Sequence, residues 1–127
     1  MTAAIVLIAH GSRDPAWPLP LEGIARRLRE RLPGTEVRLA YLEHSRPQPD
    51  EVLAALVQAG CRRASLAPLF LGIGAHGRAD IAAIVERARL RHPDLALSVL
   101  PVLGEMSPVQ DSLAGALATW LESTPAA

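Results

Sequence analysis

Apolar and polar positions along this chain follow two different periods in alternation. Four short runs are dominated by apolar residues: Ala3 to Ala9, Glu36 to Leu42, Ala64 to Leu71 and Leu95 to Val102. Runs of this length with little polar interruption read as strands buried on both faces, the pattern of a parallel sheet. Between and after them the spacing becomes helical. Ile24, Ala25, Leu28 and Leu32 recur on one side, with Arg26, Arg27, Arg29 and Glu30 opposite, until Pro33-Gly34 stops the helix. A second helix carries Val52, Leu53, Leu56 and Val57, with Asp50 and Glu51 in its first turn, where negative charge suits the helix dipole; Gly60 ends it. A third is expected after Gly77, with Ile81, Ile84, Val85 and Ala88 inward and His92-Pro93 closing it. The fourth opens with Ser107-Pro108-Val109-Gln110, a capping-box spacing with proline at the first helical position. Val109, Leu113, Leu117, Trp120 and Leu121 are expected as its inner face.

Strand and helix thus alternate four times. This order predicts a single three-layer α/β/α domain, with a four-stranded parallel sheet joined by right-handed crossovers. The order 2-1-3-4 is expected by analogy with doubly wound folds, and it opens a crevice at the carboxyl ends of strands 1 and 3. No repeat, linker or low-complexity stretch divides the chain, so residues 1–122 read as one domain and 123–127 as a flexible tail. At 127 residues it is long enough for one real core. Thirteen basic and thirteen acidic residues cancel, which argues against a nucleic-acid partner held by a general positive field. The single cysteine, Cys61, allows neither an intrachain disulfide nor a cysteine-rich zinc site, and it fits a reducing, cytoplasmic setting. The first apolar run is too short to span a membrane and lacks the basic start of a signal peptide.

Against this background the first strand ends oddly. Ile5-Val6-Leu7-Ile8-Ala9 stops at His10, followed by Gly11-Ser12-Arg13-Asp14-Pro15. Two further candidates fall at or just beyond strand ends: Glu43 in Tyr41-Leu42-Glu43-His44, and His76 in the glycine-rich exit Gly72-Ile73-Gly74-Ala75-His76-Gly77. His10, Glu43 and His76 are spaced 33 residues apart each time. Two imidazoles and a carboxylate suit a divalent first-row ion with open coordination positions, and they also move protons near neutral pH. Arg13, Arg46 and Arg78 each lie within three residues of one of these positions and would pair with a ligand bearing several carboxylates. Trp17 and Pro18 to Pro20 form a stiff apolar segment that either packs into the core or flanks a flat ligand. Asp80 reads as a helix-start residue, His44 and His92 as surface histidines, and Cys61 as a small packed residue. The glycines fit neither G-x-x-x-x-G-K-[ST] nor G-x-G-x-x-G, so they give little support to a nucleotide site.

The stretch Leu7-Ile8-Ala9-His10-Gly11-Ser12-Arg13-Asp14-Pro15 resembles the opening of the small class II tetrapyrrole chelatases, the sirohydrochlorin cobalto- and ferrochelatases of the CbiX/SirB type. Pro68-Leu69-Phe70-Leu71, a glycine-rich turn and His76-x-x-x-Asp80-Ile81 resemble their second signature, and Tyr41-Leu42-Glu43 sits where they carry a glutamate. The resemblance covers residues 3 to 121. It implies insertion of Co2+ or Fe2+ into sirohydrochlorin for cobalamin or sirohaem synthesis, with no prosthetic group and the metal as substrate. It also implies metal ligation by His10, His76 and Glu43, and a homodimer, since the single-copy form works as one. A nickel-inserting relative leaves Ni2+ as a further metal. Two departures stand out: Gly74-Ala75-His76-Gly77 replaces a Gly-Gly-His turn with a bulky residue after it, and Ala82 replaces a proline.

Insertion requires loss of two pyrrole N–H protons and delivery of a dehydrated metal. His10 and His76 are expected to hold the ion beside the ring, one of them accepting a proton. A metal or tetrapyrrole carrier would use the same residues without turnover. Histidine phosphatase chemistry is disfavoured by Ala9 standing where an arginine is needed, and a serine hydrolase by the lack of G-x-S-x-G.

Overall fold

In the computed structural model, which describes residues 3–124, the first strand, β1, spans Ala3–Ala9 and forms the middle of the sheet. It pairs in parallel with β2 (Glu36–Tyr41) on one side and β3 (Arg63–Pro68) on the other; β4 (Ala96–Val99) pairs with β3. The order β2-β1-β3-β4 is the expected one. Alternation along β1 divides two cores. Ala4, Val6 and Ile8 face a layer made by α2 (Pro49–Gln58) and α3 (Ala75–Arg91), where Val52, Leu53, Leu56, Ile81, Ile84, Val85 and Ala88 are buried. Ile5 and Leu7 face α1 (Pro18–Arg31), which contributes Ala25 and Leu28. Asp50 of α2 accepts hydrogen bonds from Arg87 at 2.9 Å and Arg91 at 3.3 Å, tying α2 to α3.

The structure departs from the sequence reading at several ends. β3 stops at Pro68 and β4 at Val99, short of Leu71 and Val102; the Leu100 N–H still bonds the Leu66 carbonyl at 2.8 Å, and Pro101, which has no N–H to donate, comes next. On α1, Ala25 is buried, whereas Ile24 and Leu32 are exposed. α3 begins at Ala75, ahead of the expected Gly77. Gly74 caps it and accepts from the Arg78 N–H at 3.0 Å, and the Ile73 side chain lies where a β-carbon of Gly77 would stand. α4 spans Ser107–Ser123, preceded by a single 3-10 turn at Leu103–Glu105. Its N-cap is Met106 rather than Ser107, and Gln110 turns its amide to the Gly104 carbonyl at 3.0 Å instead of closing a capping box. The largest correction concerns its face. No α4 residue is buried, and Leu113, Leu117, Trp120 and Leu121, expected inward, are exposed. Ser123, assigned to the tail, is the last residue of α4, and residues 125–127 lie outside the described residues.

Candidate active site

All four strands are parallel, so their carboxyl ends open on one edge, and the loops leaving β1, β2 and β3 meet there. Ala9 pairs with Tyr41, and the Leu42 N–H extends the ladder to the Ala9 carbonyl at 2.9 Å. That register sets the next residues, His10 and Glu43, side by side: His10 Nδ1 lies 2.7 Å from Glu43 Oε1. A carboxylate only accepts, so Nδ1 donates to it, and of the two neutral tautomers this contact selects the one that keeps the Nε2 lone pair free. Glu43 Oε2 is buried and has no hydrogen-bond partner among the described residues. On the other side of β1, Ile8 pairs with Pro68, and two residues further on the Phe70 ring stands 4.8 Å from the His10 ring, tilted by 38°. Trp17 Nε1 donates to the His10 carbonyl at 2.7 Å.

Two loops are locked together beneath this pair. Ser45 Oγ accepts from the Ser12 N–H at 3.0 Å and donates to the Ser12 carbonyl at 2.9 Å. The chain reaches Ser45 through a tight turn in which the Ser45 N–H bonds the Glu43 carbonyl at 2.8 Å, with His44 at a φ of 63°. Gly11 lies flat against this turn; a β-carbon there would run into the Glu43 carbonyl oxygen and the Ser45 side chain. Beside His10 opens a cavity of about 510 Å3, walled by Trp17, Leu21, Leu69, Phe70 and Leu71. Its lining is mainly apolar, with His10 at its rim. Burial, and then the Glu22 carboxylate, push the phenol of Tyr41 up, so it stays protonated at neutral pH.

The structure brings His10 and Glu43 together; it does not bring His76 to them. His76 sits in the first turn of α3, almost fully exposed, with Nε2 3.6 Å from Asp80 Oδ2. Among the described residues no group of three or more His, Cys, Asp and Glu side chains is assembled to hold a metal. Two of the three arginines are engaged elsewhere. Arg46 forks onto Glu51, 2.6 Å from Oε2, which raises the guanidinium and lowers the Glu51 carboxyl below its ordinary value; the Gln48 N–H adds to the latter. Arg78 donates to Glu105 at 2.7 Å. Arg13 is exposed on the β1 exit loop. Sequence reasoning missed the Ser12–Ser45 lock and the Phe70 contact. The signal for the lock was present: Ser12 and Ser45 have the same separation as His10 and Glu43.

The CbiX family model matches residues 4–119. Over 78 residues the chain is 32% identical to the sirohydrochlorin cobaltochelatase of Methanocaldococcus jannaschii, an alignment covering 61% of this chain and 54% of the relative. It is 27% identical over 100 residues to the chloroplastic sirohydrochlorin ferrochelatase of Arabidopsis thaliana, covering 79% of this chain and 44% of that protein. The chain spans about half the length of these curated relatives. Among solved structures, a putative cobalamin (vitamin B12) biosynthesis CbiX protein from Marinobacter aquaeolei VT8 superposes with a TM-score of 0.85 at 26% identity, covering 96% of this chain and 99% of that one. The sirohydrochlorin chelatase SirB from Bacillus subtilis subspecies spizizenii, in complex with cobalt, shares the fold with a TM-score of 0.79 at 23% identity, covering 94% of this chain and 51% of that one. No described helix is long and apolar enough to cross a membrane.

Proposed function

The chain belongs to the CbiX family, and from that premise we propose that it inserts Co2+ or Fe2+ into sirohydrochlorin, as a homodimer in the cytoplasm. Cobalt and iron are the metals that its relatives' names and structures carry, and the proposal is confined to these two. The observation that carries it is the His10–Glu43 pair at 2.7 Å on the rim of a 510 Å3 apolar cavity. A flat macrocycle needs apolar walls, and a metal with two leaving protons needs a lone pair at the wall's edge.

In this reading Trp17 and Phe70 flank the ring and His10 Nε2 faces its nitrogens. Glu43 fixes the tautomer through Oε1 and offers its unpartnered Oε2 to the incoming ion. His76 supplies the second imidazole from the first turn of α3; one of the two histidines takes the first pyrrole proton, and the second passes to solvent water. Holding ring and ion together replaces an encounter of three species by one within a complex. Arg13 pairs with peripheral carboxylates, joined by Arg46 and Arg78 when the ring's acid groups displace Glu51 and Glu105.

The test mixes the metal-free chain, sirohydrochlorin and Co2+ or Fe2+ and follows the absorbance change of the macrocycle. Many products per chain are expected, where a carrier would stop at one. His10→Ala and His76→Ala should each slow single-turnover insertion by about 100-fold or more. Full insertion by either variant would remove that histidine from the mechanism.

A further inference from the structure

His76 and Asp80 share one face of α3 and contribute nothing to the core. The helix begins at Ala75, which puts His76 in its first turn and Asp80 one turn further on. Asp80 therefore lies past the open N–H groups of the helix start, against the expectation that it serves there. His76 Nε2 stands 3.6 Å from Asp80 Oδ2, the two side chains being 94% and 46% exposed, so an ion in solution reaches both. Asp80 has no other hydrogen bond or ion pair among the described residues. At 3.6 Å the contact is too long for a hydrogen bond, in contrast to the 2.7 Å between His10 and Glu43. It matches the spacing of two donors on one ion. A nitrogen and an oxygen, each about 2.1 Å from a first-row divalent cation, stand about 3.0–3.6 Å apart for bond angles of about 90–120°. The cation between them in sequence does not interfere, because Arg78 is held by Glu105 at 2.7 Å.

We infer that His76 and Asp80 form a two-donor landing site for the divalent ion, filled from solvent before the ion meets the macrocycle. The site stands on the pair itself; its place in insertion rests on the proposed chelatase function. Imidazole with carboxylate suits Co2+ and Fe2+, and two protein donors leave the other coordination positions to water. An ion held in this way is captured without being trapped. His76 serves both ends of the transfer. The ion arrives on His76 and Asp80; as it moves to the ring, Asp80 Oδ2 lets go and Glu43 Oε2, buried and without a partner among the described residues, takes its place. One carboxylate replaces another, so the ligand charge around the ion is conserved, and bound waters leave as ring nitrogens bind. His76 has to approach His10 for this. The turn that carries it contains Gly72 and Gly74, where even an added β-carbon would meet nothing within 4 Å. Asp80 thus acts on the ion ahead of the chemistry and takes no pyrrole proton.

The experiment titrates the metal-free full chain with Co2+ alone, with no tetrapyrrole present. Calorimetry gives the affinity, and paramagnetic broadening of backbone amide resonances at a fraction of one equivalent gives the place. Broadening should centre on the first turns of α3. Asp80→Asn, which removes a charge at an exposed position and keeps its size, should weaken the first Co2+ bound by about 10-fold or more and shed that broadening. His76→Ala should do the same, and the two changes together should add little, since both donors act on one ion. His10→Ala should leave this first binding event as it is. In insertion assays Asp80→Asn should raise KM for Co2+ and keep kcat. Parent-like Co2+ affinity in Asp80→Asn, broadening centred on His10, or no Co2+ bound by the unaltered chain overturns the site. A loss confined to kcat overturns the delivery role. Co2+ held at the pair by a chain that inserts no metal upholds the site and removes the chelatase reading instead.

Discussion

Gly11→Ala probes the coupling between the two loops that hold the His10–Glu43 pair. Gly11 is not in a left-handed conformation, so the substitution carries no conformational penalty of that kind; its cost is collision. The added carbon meets the Glu43 carbonyl oxygen, which belongs to the backbone and cannot rotate away, as well as the Ser45 side chain. Relief requires the β1 and β2 exit loops to part. Overpacking of this type costs about 1–3 kcal/mol. Parting also lengthens the two Ser45–Ser12 hydrogen bonds, at about 0.5–1.5 kcal/mol each. The sum is about 2–6 kcal/mol, set against a total stability of about 5–15 kcal/mol for a domain, and it lowers the melting temperature by roughly 10–20 °C. Ser45→Ala is the control: it gives up the same hydrogen bonds without the collision and should cost about 1–3 kcal/mol less. Urea unfolding of the three proteins, read at constant m-value, measures these differences. Metal insertion well below the midpoint then reads the site, where a parted Glu43 no longer sets the His10 tautomer. An unfolding midpoint for Gly11→Ala within about 0.5 kcal/mol of the parent, with insertion intact, would refute the idea that these loops are locked.

Two further expectations concern stability alone. Leu53 is completely buried between α2 and the sheet, so Leu53→Ala should cost about 2–5 kcal/mol by urea unfolding. Glu51 has its carboxyl lowered by Arg46 and the Gln48 N–H, so its contribution is present above the ordinary carboxylate range and is lost as pH falls through the lower folded value. Glu51→Gln should therefore flatten the acid limb of stability against pH slightly, the pair being exposed; an acid limb unchanged by this substitution removes the pair from the account.

What could be read in the sequence followed from how local each signal was. β1 matched its run at both ends because an unbroken apolar stretch meets Gly11, and the inner face of α3 matched because four apolar positions at helical spacing face a sheet of the same chain. The equal 33-residue steps were half informative. The β1–β2 register aligns Ala9 with Tyr41, which brings Glu43 to His10; the β1–β3 register aligns Ile8 with Pro68, which brings Phe70, and leaves His76 beyond a six-residue turn. Spacing alone does not reveal a register. Arg46 and Arg78 were read as ligand contacts because nothing in their neighbourhood along the chain shows that Glu51 and Glu105 come within reach. α4 failed for another reason. Periodicity establishes that one side of a helix is apolar, and it is silent on which molecule covers that side.

The placement of the last buried residue has a bearing on how the protein is made. Val102 is the final side chain packed into the core among the described residues, and nothing in α4 adds to it. A nascent chain therefore has its whole interior in hand before α4 is synthesised, and closure of that interior is a unimolecular event. Formation of the proposed homodimer is bimolecular. Refolding after dilution from denaturant should accordingly split into a first phase indifferent to protein concentration and a second that slows in proportion as the chains are thinned out.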